Sequence, residues 1–153
     1  MQMADQLVVF HLDEQRYALH LACVERTVAA VEVTPLPGAP GIVAGIVNVQ
    51  GSVVPVFDLR RRFGLPERVP ALSERLIVAR TSTRRVALIA DAVVGVLGCP
   101  EEDRVAIGEI LHGGRHIEGV VKLADGLVLI HDLDRFLAAD EEKALGEALQ
   151  SRC

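Results

Sequence analysis

Gly45–Phe63 reads GIVNVQGSVVPVFDLRRRF. Ile46-Val47-Asn48-Val49 is a short apolar run, Gln50-Gly51 is a turn dipeptide, and Val53-Val54-Pro55-Val56-Phe57 returns. Two such runs joined by two turn residues make a β-hairpin. Pro55 has no N–H to donate and is expected at an edge or a bulge. Asp58 follows where its carboxylate can cap a short helix, Leu59–Phe63. The apolar ends of that helix lie four residues apart on one face, and Gly64 can stop it.

The unit occurs twice. At an offset of 74 residues Gly45 meets Gly119, Val47 meets Val121, Val54 meets Val128, Asp58-Leu59 meets Asp132-Leu133 and Arg61 meets Arg135. The second copy turns at Asp125-Gly126, a strong hairpin dipeptide. At an offset of 69 residues Leu7 meets Leu76, Arg16 meets Arg85, Ala18 meets Ala87, Leu19 meets Leu88 and Val24 meets Val93. An opening hairpin, Leu7–Leu12 with Arg16–Leu21, therefore recurs as Leu76–Arg80 with Val86–Asp91. Thr27–Val33 reads as a further strand. Pro35, Pro37 and Pro40 make the segment after it a loop. Leu65–Ser73 reads as a linker, and the tail from Asp140 reads as a terminal helix, with Leu145 and Leu149 on one face.

A repeat of about 70 residues in two copies is longer than common solenoid units. The expected fold is mainly β: two small five-stranded SH3-like barrels related by the internal repeat, with short helices and a C-terminal helix. Closing each sheet would remove its edges. Residues 6–72 form the first half, 73–139 the second, and 140–153 the helix and tail, all within one unit of 153 residues.

Half of the residues are apolar, yet there is no Trp and one Tyr, Tyr17, so Val, Leu, Ile and Ala must fill the core. A net charge of -5 gives no broad positive field for nucleic acid or anionic lipid. Arg60, Arg61 and Arg62 read as a solvated helix face. Cys23, Cys99 and Cys153 are odd in number and lack metal-site spacing, which suits reduced thiols in a cytoplasm. The N-terminus lacks the regions of a secretory signal. No apolar run approaches the roughly 20 residues of a membrane-spanning helix, so direct membrane insertion is not expected.

Candidate chemistry is thin. His112 and His116 are spaced like a helical metal pair, but Gly113-Gly114 between them disfavours the helix. His11, His20 and His131 lie on strand-like runs and read as hydrogen-bonded or surface imidazoles. Asp58 and Asp132 recur at helix starts and read as caps rather than a catalytic pair. Ser52, Ser73 and Ser82 lack a nucleophile-elbow setting, and no phosphate-binding loop is present. No catalytic residue, metal or cofactor is expected. A small barrel can also bind nucleic acid or oligosaccharide, but that needs stacking aromatics and a cationic groove, and few of either are present.

The stretch Pro37-Gly38-Ala39-Pro40, Gly45-Ile46-Val47-Asn48-Val49-Gln50-Gly51, Val54-Pro55-Val56-Phe57-Asp58-Leu59-Arg60 and Phe63 resembles the CheW-like domain. The likeness extends over roughly residues 6–139 through the hairpin with Tyr17, Glu74-Arg75, Asp91–Val96 and Gly119–Leu137. It implies a non-enzymatic cytoplasmic adaptor, without a cofactor, recruited to membrane-associated receptor arrays. Such an adaptor couples the cytoplasmic tip of chemoreceptors to a CheA-type histidine kinase. It also implies that the receptor-facing groove draws on Val24, Arg26 and Gln50. Two of these depart from the family's usual residues, Arg26 standing for Glu and Gln50 for Arg. Arg to Gln removes a permanent charge and five donors. The departures suit an alternative pathway, such as one controlling pili or surface behaviour, or an adaptor that binds the kinase and no receptor.

Overall fold

The hairpin at residues 45–63 forms as read. In the computed structural model, which describes residues 5–29, 33–66, 74–99, 104–106, 117–135 and 139–150, it is strand β4 (Val43–Val49), strand β5 (Ser52–Phe57) and helix α1 (Leu59–Phe63). Asp58 accepts from the Arg60 N–H at 3.0 Å, and Gly64 closes the helix in the left-handed conformation at φ 69°.

The remaining strands are β1 (Asp5–Leu12), β2 (Gln15–His20), β3 (Val24–Ala29), β6 (Arg75–Arg80), β7 (Arg85–Ala90), β8 (Ala92–Cys99), β9 (Arg104–Ala106), β10 (Ile117–Leu123) and β11 (Gly126–His131). A 3-10 turn at Leu21–Cys23 joins β2 to β3, another at Leu133–Arg135 follows β11, and helix α2 spans Ala139–Gln150. Strand β3 begins at Val24, before the expected start at Thr27, and residues 30–32 of the expected Thr27–Val33 lie outside the described residues. His112, His116 and the linker beyond residue 66 lie outside the described residues.

The repeat holds at the level of backbone pairing. Leu7 faces His20 in β1–β2, and Leu76 faces Ile89 in β6–β7. Val47 faces Val54 in β4–β5, and Val121 faces Val128 in β10–β11. Even the irregularities match: register shifts between Val43 and Gly45 and between Ile117 and Gly119, and again at Val24/Arg26 in β3 and opposite Val9/Phe10 in β8.

Two features depart from the expected closed five-stranded barrels. First, each sheet takes strands from both sequence copies. One sheet has six strands in the order β8-β1-β2-β11-β10-β9, the other five in the order β3-β6-β7-β5-β4. The copies meet at two antiparallel junctions, β8 on β1 and β3 on β6, and at two parallel ones, β11 on β2 and β5 on β7. Second, both sheets are open. In the five-stranded sheet, among the described residues, only an isolated bridge, Thr34 to Ile46, reaches from the chain beyond β3 to β4. Pro35, Pro37 and Pro40 follow and have no N–H to extend it. In the six-stranded sheet β9 pairs with β10, and Pro100 falls in sequence between β8 and β9. Pro55 is also not on an edge strand. The β7 ladder starts only at Val56, so its missing N–H is tolerated.

Both faces of each sheet are apolar where they meet the core. Val47, Val54, Val56, Leu76, Val78 and Ala87 pack on one face of the five-stranded sheet. Their counterparts Val121, Val128, Ile130, Leu7, Val9 and Ala18 pack in the six-stranded one. Between the sheets lies a larger shared layer to which β1 and β2 give Phe10, Tyr17 and Leu19, and β6 and β7 give Ile77, Ala79 and Leu88. Helix α2 covers its edge with Leu145 and Ala148, held by Arg62 to Glu141 at 2.7 Å and Arg84 to Glu142 at 2.6 Å. Each fully buried Leu or Phe contributes roughly 1.5–3 kcal/mol. Tyr17, Phe63 and His131 stack within this layer, with centroids 5.0 and 4.9 Å apart along the series.

The arginine run is not a uniformly solvated face. Arg60 is 8% exposed and Asp91 5%. The Arg60 guanidinium donates through Nη2 to Asp13 Oδ1 and Asp91 Oδ2, both at 2.6 Å, and through Nη1 to the Pro66 carbonyl at 2.9 Å. The Asp13 N–H adds a 2.7 Å bond to Asp91 Oδ2. The hydrogen bond to Asp13, foremost, holds the Arg60 pKa above the ordinary arginine value. This network ties the β1–β2 turn to α1 and to the end of β7. Arg61 remains largely solvated, and Arg62 anchors α2. Removing one partner of a buried ion pair strands the other. Arg60→Met is therefore expected to cost about 3 kcal/mol in urea unfolding, much of it regained when Asp91→Leu is added. A single variant as stable as the parent would show the network to be idle.

Candidate functional site

Val24, Arg26 and Gln50 come from distant parts of the chain, and strand register relates them. Strand β3 runs antiparallel to β6, with Val24 opposite Ala79 and Arg26 opposite Val78, so the start of β3 lies at the end of β6. Strand β5 runs parallel to β7, with Val56 beside Ala87, so the β4–β5 turn lies at the end where β7 begins. All three residues therefore occupy one end of the five-stranded sheet. Arg26 stands on the edge strand β3 and Gln50 in the β4–β5 turn, with β6 and β7 between β3 and β5.

Each has a local cause. Val24 follows the 3-10 turn that carries the chain from one sheet to the other and packs, half-buried, on the shared layer. Arg26 comes just after the register shift in β3 and is exposed. Gln50 and Gly51 both have positive φ, 50° and 86°, which is the two-residue turn that suits a twisted hairpin. Asn48 Oδ1 accepts from the Gly51 N–H at 2.8 Å and stabilises it.

The same end holds residues that sequence reasoning did not single out. Glu25 lies 3.4 Å from Arg80 Nε and 2.8 Å from Arg85 Nε. In the β6–β7 turn, Thr81 Oγ1 accepts from the N–H groups of Thr83 and Arg84. The Ser82 N–H donates to Asp134 Oδ1 at 2.7 Å, which joins this turn to the 3-10 turn of the other sheet. A cavity of about 310 Å³ opens beside it, floored by Phe57, Val86 and Leu133 and rimmed by the β6–β7 turn, Asp134 and Glu142. The available signal was Arg16 recurring as Arg85, which marks the repeat and gave no hint of a site.

Other polar candidates resolve into structural roles. Asp132 Oδ1 accepts from the Asp134 N–H at 3.1 Å, and Arg61–Asp58 and Arg135–Asp132 are matching 3.4 Å pairs, so the two aspartates are caps. His20 pairs with Glu118 at 2.8 Å, and His131 is buried in the aromatic stack rather than at the surface. Among the described residues, no three His, Cys, Asp or Glu side chains are placed to hold a metal, and no helix is long and apolar enough to cross a membrane.

Two exchanged sheets whose chemistry lies in caps, ion pairs and a rimmed cleft define a docking scaffold. The chain belongs to the CheW-like domain family, which matches residues 6–141. The chemotaxis protein CheW of Rhizobium meliloti strain 1021 is 26% identical over 141 residues, covering 91% of each chain. That of Thermotoga maritima is 27% identical, covering 86% of this chain and 87% of the relative. The crystal structure of the scaffolding protein TtCheW from Thermoanaerobacter tengcongensis superposes with a TM-score of 0.84 at 29% identity, over 91% of this chain and 96% of that one.

Cys23, between the two sheets, reports on the field there. Burial pushes its thiol pKa up, and Asp134, Glu118 and Asp132 add to the rise. A raised pKa lowers the thiolate fraction. With Cys99→Ser and Cys153→Ser in the background, iodoacetamide should alkylate Cys23 more slowly at about pH 8 than it alkylates free cysteine. Asp134→Asn should speed the reaction. Alkylation at the free-cysteine rate, indifferent to Asp134, would contradict this electrostatic picture.

Proposed function

We propose that this chain, a CheW-type scaffold that couples chemoreceptors to a CheA-type histidine kinase, meets the receptor at the end of the five-stranded sheet that carries Val24, Arg26 and Gln50. The observation that supports the reading is the register. Three residues named by family resemblance, 26 positions apart at the extremes, fall at one end of one sheet. Val24 supplies an apolar contact already half-committed to the core, Arg26 a polar contact on the edge strand β3, and Gln50 one at the β4–β5 turn. Nothing in this role requires bond-breaking chemistry.

The two departures bear on receptor choice. A positive residue at 26 and a neutral one at 50 present a different pattern from the Glu and Arg usual at these places. We infer an adaptor matched to its own receptors in an alternative chemosensory pathway. In titrations against the chemoreceptors of its own organism, the protein should bind the cytoplasmic tip of one of them more tightly than that of a standard motility receptor. Val24→Asp should weaken that binding by about tenfold or more while kinase binding persists. Restoring Arg26→Glu with Gln50→Arg should shift preference toward the motility receptor. Equal affinity for both receptors would contradict the pathway reading. Loss of no affinity in any variant would move the contact elsewhere, or leave an adaptor that binds the kinase alone.

A further inference from the structure

The end of the five-stranded sheet carries more positive charge than it neutralises. Side chains alternate along a strand, so Arg26 shares a face with Val28, and Arg80 shares one with Val78, the residue opposite Arg26. Arg85 pairs directly with Arg80 across β6–β7. The three arginines therefore lie on one face at one end, and among the described residues the one carboxylate paired with them is Glu25, shared between Arg80 and Arg85. Arg80 keeps a side chain 61% exposed, and Arg26 is exposed with no ion pair among the described residues. The other acids nearby have contacts of their own, Glu118 with His20, Asp132 with Arg135 and Asp134 with the Ser82 N–H, and among the described residues none of them forms an ion pair with Arg26, Arg80 or Arg85.

The repeat supplies an internal comparison. The positions equivalent to Glu25, Arg26, Arg80 and Arg85 in the six-stranded sheet are Val94, Gly95, His11 and Arg16. There the one arginine is answered by Asp125 at 3.0 Å, and its hydrogen bond holds the Asp125 carboxyl below the usual carboxylate range. The same backbone thus folds without an arginine cluster at this end. Folding does not call for the charges, which leaves recognition as their use.

Resting on the receptor site proposed above, we propose that Arg26 and Arg80 are specificity determinants that bind carboxylates on the docking segment of the partner. An acidic polypeptide fits better than a polyanion. The patch is only a few cations wide on a chain of net charge -5, whereas nucleic acid and anionic bilayers are held by broad positive fields. Guanidinium groups match carboxylates two bonds at a time, so the contact is directional as well as attractive.

The test is titration of the full chain with the cytoplasmic tips of the chemoreceptors of its own organism, followed on the tip that the chain binds most tightly. Affinity should fall as NaCl rises from about 0.05 M to about 0.5 M. Arg26→Glu with Arg80→Glu should weaken binding by about tenfold or more and remove most of that salt dependence. Arg26→Lys with Arg80→Lys should retain a substantial part of the affinity, and a lysine scan of the acidic positions of the tip should find one whose loss is offset by the glutamate variant. Unchanged kinase binding serves as the folding control. If the glutamate variant binds the tip as well as the parent while Val24→Asp does not, the receptor sits here without using the cations, and this proposal fails alone. If neither change matters, the receptor site itself is misplaced. Heparin or vesicles of anionic phospholipid binding as tightly as the tip, and losing that binding in the glutamate variant, would assign the patch to polyanions and overturn it.

Discussion

Neither sheet can be completed from its own half of the chain. The hairpin β1–β2 adds to strands β8 and β11, the hairpin β6–β7 adds to β3 and β5, and the joins are the antiparallel ladders β1·β8 and β3·β6 and the parallel ladders β2·β11 and β5·β7. Much else follows from this exchange. The hairpins present one face to their own sheet and the other to a shared layer, so Phe10, Tyr17, Ile77 and Leu88 pack as a single core instead of two. The chain must cross between sheets at Leu21–Cys23, and that crossing delivers Val24 to the end of the five-stranded sheet. The Arg60 network spans the same boundary with charge, joining the turn of one hairpin to the end of the other. A buried pair of this kind adds little net stability but penalises any arrangement that leaves it unmet, which makes it a device for registering the two sheets.

Duplication explains what the ends of the sheets are for. Core positions are kept between copies in kind and in register, because closely packed interiors admit few changes of volume. The sheet ends are free of that restriction and have diverged. One bears Glu25, Arg26, Arg80 and Arg85. The other bears Val94, exposed at 57%, and a lone Arg16 held by Asp125. A scaffold with partners of different character needs unlike surfaces on a common frame, and two copies of one sheet supply them.

Much of this frame was legible from residues alone. The offsets of 69 and 74 residues anticipated identical strand registers, and Asp58 and Asp132 were read as caps from their recurring context. The exchange was not legible, since local pairing signals such as Gln50-Gly51 and Asp125-Gly126 specify hairpins but not which hairpins lie side by side. The open sheets were missed for a related reason: the prolines after Thr34 were read as a loop, and their effect on closure depends on which strand they face. Arg60 looked like its neighbours in a basic run, and only the positions of Asp13 and Asp91 set it apart. At the site, Val24, Arg26 and Gln50 came from family resemblance. Glu25, Arg80 and Arg85 needed the fold, because their meeting depends on β3 lying beside β6.

The claim that one end of the five-stranded sheet receives the partner is open to direct mapping. Backbone amide shifts of the labelled protein, followed as receptor tip is added, should move in β3, in the β4–β5 and β6–β7 turns and at Leu133–Arg135. They should leave the opposite end of the repeat, at Val94 and the Asp125-Gly126 turn, in place. Shifts concentrated at Val94 and Asp125-Gly126, with β3 undisturbed, would contradict the account.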